Sequence, residues 1–169
     1  MILTKVEFLS ALRSEIRLIL HLAAKIEPTQ LDYRPSPSQR STLDLVQYLT
    51  IMGPIHLRGV LAGTWTMESW RTAWQTGQAT ARTLALPAAL DAIAQQPALF
   101  AELLGNSADD HLRAEIEMFG RRATRGALLV SLLLNHYAAY RMQLFLYLKA
   151  SGHAELNTLN LWAGVDKFP

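Results

Sequence analysis

The residues with the most chemistry in this chain lie together near its C-terminus, in Asn135-His136-Tyr137-Ala138-Ala139-Tyr140-Arg141-Met142-Gln143-Leu144. Side chains four apart share one helix face, so two histidines at that spacing would chelate one divalent ion. Here the second position is Tyr140. An imidazole followed one turn later by a phenol offers one nitrogen donor and one weak acid, whose ordinary pKa of about 10 keeps it protonated near neutrality. The pair reads as a metal motif short of a histidine. What it retains is hydrogen bonding, acid–base chemistry by His136, or a place for a small ligand.

No other residue repairs the motif by spacing. His21 sits beside Leu20 and is expected to be partly buried, while His111 and His153 fall in polar stretches. There is no cysteine, hence no disulfide, thiolate nucleophile or cysteine metal site, and the cytoplasm is the expected compartment. Arg121, Arg122 and Arg125 form the one local basic cluster, read as solvated or paired. Sixteen Lys plus Arg against 14 Asp plus Glu, scattered and without interleaved aromatics, argue against nucleic-acid binding.

These residues must be positioned by helices. The chain has 169 residues, half of them hydrophobic, enough for one domain over 1–169. Val6, Leu9, Leu12, Ile16, Ile19, Leu20, Ala23 and Ile26 recur at helical spacing and predict a first helix from Thr4 to Ile26. Charged residues from Lys5 to Arg17 interrupt any apolar core of a signal peptide. Pro28, Pro35 and Pro37 make Glu27 to Arg40 an extended connection long enough to cross the end of a bundle.

Ser41-Thr42-Leu43-Asp44 has the capping-box form and starts a second helix, which Pro54 should kink. Gly59 and Gly63 should weaken its far end. Thr64 to Thr83, with Trp65, Trp70 and Trp74 among polar residues, reads as a loop with a short helical stretch, its tryptophans serving as lids or packing. A third helix runs from Pro87 to Gly105-Asn106, with a kink or break at Pro97. Ser107 to Phe119 is a short helix or an extended piece.

Thr124 caps the last long helix, whose buried stripe is expected to be Leu129, Leu132, Leu133, His136, Tyr140, Gln143, Leu144 and Tyr147. Its longest apolar run, Gly126 to Leu134, is far short of the roughly 20 residues a bilayer needs, so no membrane span is expected. The tail from His153 to Pro169 carries Leu156, Leu159, Leu161 and Trp162 and should pack back on the bundle.

Thr124-Arg125 followed by His136, Tyr140 and Gln143-Leu144 resembles the last helix of the DinB/YfiT-like proteins. Their pattern there is Thr-Arg and then His-x-x-x-His-x-x-Gln-Leu. The Asp32-Tyr33-Arg34-Pro35 loop, the Ser41 to Leu49 helix start and Leu159-Asn160-Leu161-Trp162-Ala163-Gly164 extend the likeness over most of the chain. The resemblance implies an all-α four-helix bundle with a long connection between helices one and two, and a homodimer. Gly126, Ala127, Ala138 and Ala139 would permit close helix approach in such a dimer.

It also implies a divalent metal held by three histidines, in a family that includes transferases and isomerases using small thiols. Tyr48 falls at the third histidine position. The implied site is therefore Tyr48, His136 and Tyr140: one imidazole and two phenols, a poor zinc or nickel set that at most suits ferric iron. The expected state is a degenerate triad with no metal and no cofactor, its three side chains hydrogen-bonded to one another.

Two functions stay open: a small-molecule-binding or interaction module, and a thiol-dependent transferase or isomerase acting through His136. His56, eight residues beyond Tyr48 and about 80° round an ideal helix, is expected to flank the core, with a replacement ligand as the lesser alternative. Asp44 is accounted for by its capping role.

Overall fold

In the computed structural model, which describes residues 3–168, local sequence signals set most of the helix ends. Met1, Ile2 and Pro169, included in the expected domain and tail, lie outside those residues. Helix α1, Lys5–Ala23, starts at a capping box in which Thr4 accepts from the Glu7 amide and the Glu7 carboxylate accepts from the Thr4 amide. Phe8, Leu12, Ile16, Ile19 and Leu22 form its buried stripe. Ser41 and Asp44 make the same reciprocal cap for α2, Thr42–Ala62.

Four long elements form the bundle. α4, Leu86–Gly105, lies between α1 and α2 on one side, and the last helix lies between them on the other. α1 and α2 are thus diagonal partners. That placement is the reason for the long connection, which crosses the bundle end through a single 3-10 turn at Pro28–Gln30. The tail returns as expected: Leu156, Asn160 and Leu161 are buried, and the buried Arg141 guanidinium pairs with Glu15 of α1 at 2.8 Å and donates to the Leu161 carbonyl.

Several expectations change. Thr64 to Thr83 holds a full helix, α3, Met67–Ala81, capped by Thr66, rather than a loop with a short helical stretch. Its surface is mostly polar and its tryptophans face α2 from outside the bundle, so it lacks the core-type stripe that announces a helix. Gly59 does not merely weaken α2: a Cβ there would lie 2.3 Å from the Trp65 ring, so its bareness admits that indole.

Pro97 does not break α4, and α1 stops at Ala23, three residues before Ile26. Ser107 to Phe119 contains both of its alternatives, α5 at Asp109–Arg113 and β1 at Glu115–Met118. β1 pairs antiparallel with β2, Arg121–Thr124, a strand not anticipated. Phe119 and Gly120 both have positive φ (54° and 71°) and close this hairpin as the two-residue turn whose twist matches the strands.

The last helix runs as α6, Arg125–Leu129, a π turn at Val130–Leu134, and α7, Asn135–Ala150. An inserted residue rotates the remainder of the helix by about 100° relative to an uninterrupted one. The buried stripe therefore continues from Leu129 and Leu133 through Tyr137, Arg141, Leu144 and Leu148. His136, Tyr140 and Gln143 are half-buried on its flank instead of in the stripe.

A glutamine explains how α2 stays continuous across its internal proline. Pro54 has no amide proton for the Thr50 carbonyl. Gln96 of α4 supplies the missing donor: its Nε2 lies 2.9 Å from both the Leu49 and Thr50 carbonyl oxygens. Its Oε1 accepts from the Tyr137 hydroxyl of α7, so one buried amide joins three bundle helices.

Candidate functional site

Two ring pairs bridge α2 and α7. Tyr48 meets Tyr140 edge to face with centroids 4.9 Å apart, and the Tyr140 hydroxyl donates to Tyr48 Oη at 3.3 Å. One turn nearer the start of α7, His136 meets His56 with centroids 5.3 Å apart and planes inclined by 59°. The His136 and Tyr140 rings are 6.2 Å apart. Of the trio expected to bond together, only the two tyrosines do so directly.

α3 closes the outer side of this cluster. Trp74 lies 5.4 Å from Tyr48 and 5.7 Å from His56, and Trp70 stacks on Trp74 at 5.5 Å with planes only 13° apart. Phe119, at the hairpin tip, sets its edge against Trp70 at 5.8 Å. Trp74 thus covers Tyr48 and His56, and the hairpin braces the tryptophan stack.

His56, expected to flank the core, belongs to this ring cluster. Its ring is buried, 5% exposed. The site occupies the flank between α2, α3 and α7 and is wide enough that rings about 80° apart on α2 both reach Trp74. The sequence offered one signal: eight residues is two helical turns plus a fraction, within reach of a broad face. Gln96, Tyr137 and Pro54, which fix α2 against α7, carried no spacing signal, since their bonds run between distant segments.

The protonation states follow from burial. His56 Nδ1 is 2.9 Å from the Met52 carbonyl, which can only accept, so Nδ1 carries the proton and Nε2 keeps its lone pair. Burial, aided by the neighbouring His136, pushes the His56 pKa down to about 4 against the opposing pull of that bond. Burial also lowers the His136 pKa, with partial offset from the Leu132 carbonyl, which stays outside hydrogen-bond geometry with Nδ1. Both imidazoles are neutral at pH 7.

Burial raises the Tyr48 hydroxyl well above the ordinary phenol range, and Tyr140 adds to this. Arg40, whose guanidinium carbon sits 4.0 Å from the Tyr48 ring centroid, acts the other way without reversing it. His136 Nδ1 and Trp70 Nε1 are buried with no hydrogen-bond partner. An unpaired buried polar atom costs about 1–3 kcal/mol, so two beside one cluster call for an explanation.

As a donor set the cluster supplies two neutral imidazoles and two protonated phenols. Divalent zinc or nickel sites need imidazole, thiolate or carboxylate at three protein positions. The residues present do not fit such an ion. Among the described residues, no group of three His, Asp, Glu or Cys side chains is placed to hold one.

This four-helix bundle, with its long diagonal connection between α1 and α2, has the fold of DinB-like proteins. A DinB-like protein of Bacillus subtilis, YjoA, superposes with a TM-score of 0.65 and 22% identity, over 89% of this chain and 94% of its own. A DinB-like protein of Bacillus cereus superposes with a TM-score of 0.58 and 18% identity, over 90% and 95%. No family model matches the sequence, and no curated protein matches it. No helix among the described residues is long and apolar enough to cross a membrane.

Proposed function

We propose that this chain is a DinB-fold protein whose metal positions, Tyr48, His136 and Tyr140, have been rebuilt with His56 into a metal-independent pocket, and that it acts as a small-molecule-binding or interaction module. The observation that carries this reading is the pair of unpartnered buried nitrogens, His136 Nδ1 and Trp70 Nε1, beside rings that make no divalent donor set. A ligand carrying hydrogen-bonding groups would supply the partners these nitrogens lack, beside tyrosine and tryptophan rings. Ligand-observed NMR with a library of small heteroaromatic compounds tests it. Binders lost in His136→Phe and in Trp70→Phe support the pocket, and a library without such binders contradicts it.

A second reading is favoured by the neutral state of the His136 imidazole. A thiol-dependent transferase or isomerase of this fold would use neutral His136 to take the thiol proton, with the Tyr48 and Tyr140 hydroxyls oriented towards a substrate oxygen. It requires a thiol-dependent rate in a screen of thiol and electrophile pairs that disappears in His136→Phe while the fold is retained. The homodimer is part of the proposal as well, with Ala139, Met142 and Leu146 forming an exposed apolar face on α7.

A further inference from the structure

We infer that the cleft between the α1–α2 connection and the end of α3 is an oxyanion site, which takes the carboxylate or phosphate of the small molecule whose remainder reaches Tyr48. This rests on the reading that the ring cluster binds a small molecule. The cleft measures about 260 Å³, and Arg34, Arg40, Arg82, Asp44, Gln47 and Tyr48 are among its lining residues. At about 30 Å³ per water, the volume exceeds the needs of one phosphate or carboxylate group. Tyr48 is common to this cleft and the ring cluster, so a ligand seated in one borders the other.

Charge sets the class of ligand. Three guanidinium groups line the cleft against one carboxylate, Asp44. That carboxylate is already engaged, accepting from the Ser41 amide at 3.0 Å and lying 3.5 Å from Arg34 Nη2. The Ser41 capping bond and then Arg34 and Arg82 hold its pKa below the usual carboxylate range, so it stays ionised and matched. Among the described residues, Arg40 and Arg82 form no direct ion pair with a carboxylate, Arg82 acting on Asp44 only at longer range. Arg40 rests on the Tyr48 ring instead, a cation–π contact that leaves the edge of its planar fork free.

The backbones that carry these two arginines are tethered to the bundle. The Tyr147 hydroxyl of α7 donates to the Arg40 carbonyl at 3.1 Å. The Gln47 amide of α2 donates to the Leu84 carbonyl at 2.8 Å and to the Arg82 carbonyl at 3.4 Å. Two guanidinium groups without a paired carboxylate, lining one cleft, suit an oxyanion, which each binds through paired N–H donors.

Isothermal titration calorimetry at low ionic strength, with inorganic phosphate and with succinate as probes, tests the site in the intact chain. The expected result is saturable one-to-one binding of at least one probe, weakened about tenfold or more in Arg40→Gln/Arg82→Gln and measurably in each single variant. The melting temperature should change little, since neither side chain pairs with a carboxylate. Preference for phosphate or for succinate identifies the group the cleft takes. No saturation by either probe, or undiminished affinity in the double variant, overturns the inference. Equal anion affinity in His136→Phe separates the two readings: the arginine cleft can stand while the ring pocket fails, and the reverse.

Discussion

His56 and His136 face each other across the α2–α7 seam with ring centroids 5.3 Å apart, joined by no hydrogen bond, and Trp74 packs against His56. Two imidazoles placed so closely cannot both be protonated at modest cost, and burial already disfavours the charge on each. Their neutrality is the chemical state on which the proposed pocket rests.

That state has a pH signature. The unfolded chain protonates His56 near its ordinary pKa of about 6.5, the folded chain only near 4. Between these values the unfolded state binds more protons, so the contribution of His56 is fully present above about 6.5 and is lost as pH falls towards 4. The gap corresponds to roughly 3 kcal/mol. Urea unfolding should show stability falling steadily from pH 7 to pH 4.5, with a shallower fall in His56→Gln. Equal slopes for the two proteins would show that His56 is not the group responsible.

Gln96 carries a second prediction. Gln96→Leu removes the donor to the Leu49 and Thr50 carbonyls and the acceptor of the Tyr137 hydroxyl, all in the core. The loss should be about 3 kcal/mol. Pro54→Ala restores an amide proton for Thr50, so Gln96→Leu should cost about 1 kcal/mol less in that background. Additive effects of the two changes in denaturant titrations would mean that Gln96 does not compensate for the proline.

Gly53 makes the same junction tight from the other side. A Cβ at this position would fall 1.9 Å from Tyr137 Oη and 2.8 Å from Phe100 Cζ, both in fully buried side chains. Gly53→Ala should cost about 1–3 kcal/mol despite the better helix propensity of alanine. A variant as stable as the parent would require α4 or α7 to shift freely, which the Gln96 bonds oppose.

The tail depends on one buried ion pair. Arg141 is 3% exposed and holds Glu15 at 2.8 Å, the Leu161 carbonyl, and the Trp162 ring at 4.4 Å from its guanidinium carbon. Glu15→Leu leaves that guanidinium without its carboxylate and should cost about 3–5 kcal/mol. Limited proteolysis should then cut near Leu156 to Trp162 faster than in the parent. An unchanged digestion pattern would mean that the tail is held by Leu156 and Leu161 alone.

The capping box at Ser41, the stripe of α1 and the proline-rich connection made the bundle legible, because each signal lies within a short stretch of sequence. The likeness of Thr124-Arg125 and His136 to Leu144 to a known helix pointed to α7 for the candidate site. α3 was hidden because its apolar residues are tryptophans facing outward-lying rings rather than a core stripe. The π turn at Val130–Leu134 changed the phase of the whole of α7, which is why Tyr137 and Arg141 occupy the core positions expected for His136 and Tyr140. His56 was set aside by an angle measured along one helix, whereas the site is a surface shared by three.

Whether Tyr48, His56, His136 and Tyr140 form a pocket that works without a metal is tested most directly by elemental mass spectrometry of the untagged chain, purified without chelators. A metal-independent pocket predicts substoichiometric transition metal, at a level indifferent to His136→Ala. One ion per chain that disappears in His136→Ala would contradict it.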